Sequence, residues 1–174
     1  HDDQHHDDRR RSDLVEALLR VLGPLGDDDG QGGEPLAELA RVEQVNGSLN
    51  AVVRLLTDEA LVAADRADAA VAARAPLGRL HGVPCTVKEN IDVAGTPTTD
   101  GVLLLADAIA LTDSPTVERM RAAGAIPFAR TNLPDFGLRV HTDSELHGPT
   151  RNPWNPGVTA GGSTSGSPRR ASAT

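Results

Sequence analysis

Apolar residues recur at helical spacing in several stretches of the chain, and each stretch is bounded by residues that start or stop helices. Leu14, Val15, Leu18, Leu19 and Leu22 form one stripe, Asp13 and Glu16 resemble a capping pair before it, and Gly23-Pro24 ends it. Pro35 suits the first turn of a second helix with Leu36, Leu39, Ala40 and Val42 on its buried side, and Asn46-Gly47 reads as the turn that follows. Thr57 is placed to cap a third helix reaching about Ala73, with Ala60, Leu61, Ala64, Ala67 and Val71 on one face. Ser114-Pro115 starts a fourth, with Val117, Met120 and Ala123 pointing inward and Gly124 at its end.

Between these helices the period shortens. Residues 83–87 alternate Val, Cys and Val, and residues 125–130 (AIPFAR) form a short apolar run, so both read as strands. The order strand, loop, helix, strand is that of a βαβ crossover and predicts a mostly parallel sheet. Residues 50–56 (NAVVRLL) are short and β-branched, and stay open between strand and helix. Beyond Thr131, Asn132, Pro134, Gly137, Gly148, Pro149, Asn152, Pro153, Pro156 and Gly157 break any long element, and irregular stretches of this length in compact domains are usually functional. The expected fold class is therefore α/β: a mixed, largely parallel sheet flanked by helices.

Composition narrows the function classes. Aromatic residues are 2% of the chain and tyrosine is absent, so the core must come from Leu, Val, Ala and Ile, and stacking on aromatic rings has little to work with. A formal net charge of −8 argues against a nucleic-acid partner, because phosphate binding needs clustered Lys and Arg. No apolar run approaches the roughly 20 residues that span a bilayer, and the single cysteine, Cys85, suits a reducing compartment. The expectation is a soluble, cytoplasmic protein without a nucleic-acid or membrane partner. Cys85 alternates with valines and reads as a packed strand residue rather than a reactive thiol. Residues 1–33 combine a His, Asp and Arg-rich start, the first helix and an acidic Gly-rich linker at 26–33, and they read as a disordered or helical extension. The histidines and aspartates at the start have no fixed spacing, so no metal site is expected.

Lys88 is the only lysine; sixteen arginines carry the rest of the fixed positive charge and cannot act as bases. It sits just past an apolar strand and before Glu89, Asn90 and a turn-prone stretch, at the strand end where α/β folds tend to place working groups. Alone, that is compatible with a surface charge. Residues 160–167 (AGGSTSGS) place glycines before closely spaced hydroxyls, which permits close approach of main-chain N–H groups but reads equally as a flexible linker. A phosphate-binding loop is excluded there because Gly-Lys-Ser/Thr is missing. His141 and His147 lie in the irregular region, where hydrogen bonding or solvation is the commoner fate of a histidine.

Together the stretches are more specific than any one of them. GRLHGVPCTVKENIDVAGTPTTDG at 78–101, VERMRAAGAIPFARTNLPDFG at 117–137 and HGPTRNPWNPGVTAGGSTSG at 147–166 resemble, in order and spacing, the N-terminal part of an amidase signature enzyme. The resemblance covers about residues 36–166, so residues 34–174 are expected to be the N-terminal part of an amidase domain. It implies hydrolysis of a carboxamide C–N bond by a serine nucleophile, with a Ser, cis-Ser, Lys triad, no cofactor and a small-molecule amide as substrate. Carried onto this chain, the triad lysine falls on Lys88 and the cis-serine on Ser163, with Gly161, Gly162, Thr164, Asn132 and Asp135 in supporting or substrate-binding places, and Asn90 and Asp92 nearby. A free lysine has a pKa of about 10.4, so only about 0.04% is neutral at pH 7, and a lysine base needs burial to be useful.

Two departures from the family pattern stand out. The family's nucleophilic serine belongs to a separate downstream Gly-Gly-Ser stretch that residues 1–174 do not contain, and Ser165 and Ser167 are poor substitutes. Pro168-Arg169-Arg170 also follows where a helix of small residues is usual. The expectation is a fragment, from truncation or a frameshift after about Gly166, that lacks the nucleophile and is inactive alone. The alternatives are a degenerate binding or assembly protein and an amidotransferase subunit.

Overall fold

The computed structural model of the chain describes residues 34–158, 160 and 161. The helix expected at residues 14–22, the linker at 26–33, and Gly162, Ser163 and Thr164 lie outside the described residues. Within them the order is α1 (Glu34–Leu49), β1 (Val52–Leu55), α2 (Thr57–Ala72), β2 (Pro84–Lys88), α3 (Pro115–Ala122), β3 (Ile126–Thr131), β4 (Asp143–Ser144) and β5 (Gly148–Pro149), with short 3-10 turns at Leu103–Leu105 and Asp135–Gly137.

The strand β3 is the centre of a three-stranded sheet and all six of its residues are buried. It runs parallel to β2, as the crossover pattern predicts, and antiparallel to β1, so the sheet is mixed. Pro127 has no N–H to give to a ladder, and the register with β2 slips beside it: Cys85 pairs with Pro127 but Thr86 with Ala129. The ambiguous stretch at 50–56 resolves as β1, and the Leu56 N–H that follows donates to the Phe128 carbonyl at 2.8 Å.

Two apolar clusters hold these layers. Leu39, Ala60, Ile126, Phe128 and Ala129 form one, with Val42, Val52, Ala63, Ala64 and Ala67 packed against it. The small residues of α2 let that helix lie close to β3. Leu56, Val87, Val93 and Val117 form the other, with Ile91 beside them. Burying a side chain of the size of Phe128 contributes about 1.5–3 kcal/mol.

The boundaries of α3 follow the sequence closely. The Ser114 hydroxyl accepts the Val117 N–H at 3.4 Å, Pro115 occupies the first turn, and Gly124 ends the helix at φ 94°. Three local readings need correction. Asn46-Gly47 is not a turn but part of α1, which runs on to Leu49 before Asn50 leaves it at φ 55°. The turn chemistry of Asn46 acts at a distance: its Oδ1 accepts the N–H groups of Ala51 and Val52, and its Nδ2 donates to the Val52 carbonyl at 2.7 Å. Thr57 does not cap α2. It is the first helical residue, Leu56 holds the cap position, and no side chain bonds there. Val71 is also half exposed rather than packed on the inner face.

Candidate active site

Lys88 and Thr131 are the last residues of the parallel strands β2 and β3, and they lie opposite each other. Both line a half-open cleft of about 170 Å³ whose other walls are Thr86, Val87, Ile91, Thr116, Val117 and Met120. This is the crevice beyond the carboxyl ends of the strands, where ligands of parallel α/β sheets tend to bind. The walls are mostly apolar. Burial in them holds the Lys88 amine below the ordinary lysine value, and the charge of Asp100 opposes that only in part. Asp100 itself sits at φ 48°, an uncommon backbone conformation for a residue other than glycine.

The chain beyond Lys88 is held by polar groups from the interior. Arg130, fully buried at the end of β3, donates through its guanidinium to the Ile91 carbonyl at 2.7 Å, to the Lys88 carbonyl at 3.4 Å and to the Thr96 hydroxyl. Glu89 is 1% exposed, and its Oε2 accepts hydrogen bonds from the Thr99 hydroxyl at 2.7 Å and from His147 Nε2 at 2.6 Å. Burial raises the pKa of that carboxyl, but the hydrogen bonds from His147 and Thr99, with the charges of His147 and Arg130, outweigh it and hold the group below its ordinary value. The Arg130 pKa is lowered by burial and partly restored by Glu89 and Asp92.

The irregular region after β3 is tied down by side chains. Asn132 is fully buried: its Nδ2 donates to the Gly148 carbonyl at 2.9 Å and the Thr150 hydroxyl at 3.1 Å, and its Oδ1 accepts the Leu133 N–H at 2.9 Å and the Ser144 hydroxyl at 3.0 Å. Asp135 accepts the Glu145 N–H at 2.8 Å and pairs with Arg139 at 3.2 Å. Both residues therefore act first as struts that shape this region. Asn90 and Asp92 have exposed side chains, and the Asp92 carbonyl anchors α3 by accepting the Ser114 N–H at 3.0 Å. His141 is half-buried, and His147 is bound to Glu89. Gly161 takes φ 71°, a left-handed conformation that favours glycine. Ser163, Gly162 and Thr164 lie outside the described residues.

Glu89, Thr99 and Arg130 were not singled out from sequence. The available signals were an acidic residue directly after the sole lysine and an arginine closing an otherwise apolar strand. Cys85 is half-buried, and burial pushes its thiol up to about 11, which accords with a packed residue. No group of His, Cys, Asp and Glu side chains suited to a metal ion occurs among the described residues.

Known proteins resemble this chain over most of its length. The model of the family described as Amidase matches residues 36–171. The chain is 50% identical over 130 residues to an indoleacetamide hydrolase of Bradyrhizobium diazoefficiens, covering 75% of this chain and 25% of that protein. It is 43% identical over 130 residues to an acylamidase of Rhodococcus erythropolis, covering 74% and 27% respectively. Among solved structures, a bacterial aryl acylamidase of the amidase signature family superposes with a TM-score of 0.73 at 34% identity, over 76% of this chain and 28% of that one. The chain thus spans about a quarter of the length of the relatives it matches.

Proposed function

This chain belongs to the Amidase family, and from that premise we propose that it contributes the lysine and the cis-serine of a Ser, cis-Ser, Lys centre that hydrolyses a small-molecule carboxamide. The observation that carries the proposal is the placement of Lys88, the sole lysine, at the end of β2 in a cleft that lowers its affinity for a proton. Burial that lowers the pKa of the amine brings its neutral, proton-accepting form within easier reach than in an ordinary surface lysine.

In the proposed reaction Lys88 takes the proton of the Ser163 hydroxyl, and Ser163 takes that of the nucleophilic serine. The nucleophile then forms a bond to the amide carbonyl carbon. The proton returns along the same path to the leaving nitrogen, the C–N bond breaks, and water later releases the acid from the acyl-enzyme. The nucleophile itself is not one of the residues described here, and the activity proposed is that of the whole amidase unit. Gly161, at positive φ, directly precedes in sequence Gly162, Ser163 and Thr164, the positions that the family resemblance assigns to the cis-serine and its supporting residues. Asn132 and Asp135 support the site by shaping the approach to it.

The proposal includes a boundary near residue 33 between an N-terminal extension and the amidase portion. It also includes a cytoplasmic setting, favoured by a lone, half-buried thiol. No helix among the described residues is long and apolar enough to cross a membrane. The test is ammonia or amine release from a panel of carboxamides by the protein that carries this sequence, compared with Lys88→Ala and Ser163→Ala. Each substitution is expected to reduce kcat by about 10²–10⁴-fold, the range for loss of a general base. Turnover that survives Lys88→Ala would contradict the proposal.

A further inference from the structure

Glu89 and His147 lie outside the lining of the cleft, yet they join the two stretches on which the proposed chemistry depends. Glu89 follows Lys88 directly, and its N–H donates to the Thr131 carbonyl at 3.1 Å, so its position and that of the strand end are linked. A carboxylate oxygen only accepts, so His147 Nε2 carries the proton in the 2.6 Å bond between them. His147 is itself fixed: its carbonyl accepts the Asn50 side-chain amide at 2.7 Å, and its N–H donates to the Ser144 hydroxyl at 3.1 Å. A little further on, the Arg151 N–H donates to the Leu49 carbonyl at 2.8 Å, and the chain then leads to Gly161. Meanwhile Arg130 grips the same strand-end turn through the Lys88 and Ile91 carbonyls, and Ile91 is a wall of the cleft.

The turn at residues 88–91 is therefore held between a buried guanidinium and a buried carboxylate, and His147 secures the carboxylate. We infer that Glu89 and His147 are positioning residues for Lys88: their hydrogen bond keeps the strand-end turn closed beside the Lys88 amine and in register with the segment that runs on to Gly161. This rests on the reading of Lys88 as the base. Neither residue exchanges a proton with substrate in this role. They act through the turn and the wall it supplies.

Because Lys88 is the only lysine among residues 1–174, selective ¹³C labelling of lysine in that chain yields a single Cε resonance whose pH titration reports that amine alone. In the wild type it is expected to titrate below the ordinary lysine value. His147→Leu keeps much of the bulk but has no donor, and the titration is expected to move upward toward about 10.4. His147→Gln restores a donor of similar reach and is expected to return the titration to the wild-type position, a rescue that filling space alone would not produce. His147→Asn stays polar but falls short of Glu89, and serves if the leucine variant does not fold; it is expected to move the titration as leucine does. A folded His147→Leu or His147→Asn protein with an unmoved Lys88 titration overturns the positioning role and leaves the base intact. A wild-type titration already at the ordinary value overturns the base, and the positioning role with it.

Discussion

The buried guanidinium of Arg130 donates to the Ile91 carbonyl at 2.7 Å, across 39 residues of sequence. The same side chain reaches the Lys88 carbonyl and the Thr96 hydroxyl, and its charge favours the Glu89 carboxylate. Removing it takes a donor from two carbonyls and a hydroxyl, and a favourable charge from the buried Glu89 carboxylate. Breaking one side of a buried charge arrangement costs about 3–5 kcal/mol. Arg130→Met is expected to lose stability on that scale in urea unfolding, and Arg130→Lys to recover only part, since an ammonium lacks the forked donors. An Arg130→Met protein as stable as the wild type would show that the turn is held by other contacts.

The Glu89 carboxyl has a folded pKa below its ordinary value, so its contribution to stability has a defined sign. It is fully present above the unfolded carboxylate value of about 4.3 and is lost as pH falls through the folded value. Urea midpoints taken from pH 7 to pH 3 are expected to fall more steeply below pH ~4.3 in the wild type than in Glu89→Gln, which has no proton to bind there. Parallel curves for the two proteins would place the carboxyl outside the network of His147 and Thr99.

Lys88 has the opposite effect on stability near neutrality. Burial lowers its folded pKa, so the unfolded state binds more protons and stability rises with pH from the folded value up to about 10.4. Lys88→Met keeps the length of the side chain, removes the charge, and is expected to raise the urea midpoint at pH 7 while abolishing any amide turnover. This is the trade expected of a residue kept for chemistry. A lower midpoint would mean that the lysine serves the fold.

Two glycines offer a paired test of the backbone. A Cβ on Gly124 would lie 2.7 Å from the His81 Cα, and its φ is 94°. A Cβ on Gly47, inside α1, would meet nothing within 4 Å. Gly124→Ala is expected to destabilise by more than about 1 kcal/mol, and Gly47→Ala to stabilise by about 0.4–1 kcal/mol, both read from thermal or urea unfolding. Reversed signs would contradict the helical course of α1 through Asn46-Gly47.

Local chemistry was legible in the sequence where it acts on its own neighbours. Ser114-Pro115 started α3 as expected, and the apolar runs at 83–87 and 125–130 became parallel strands that bring Lys88 and Thr131 to one cleft. What escaped was chemistry that acts across the chain. The turn-forming side chain of Asn46 closes the end of a helix that passes through it, and β1 pairs antiparallel with a strand that lies far along the sequence. Glu89 and His147 are 58 residues apart, and Arg130 looked like the end of a strand rather than the anchor of a turn. Spacing and propensity carry no record of such pairings, which exist only once the layers are packed. The motif words identified the family because they combine many positions at once, although the reasons for Glu89 and Arg130 became visible only in the packed interior.

The most direct test of the central claim is the pH titration of the single lysine in the wild-type chain, followed through the ¹³Cε resonance. The expected result is a Lys88 pKa below that of a free lysine, about 10.4, in the folded protein, returning to that value in urea. A folded-state titration at or above the free-lysine value would contradict it, because a fully charged amine in that cleft could not serve as a base.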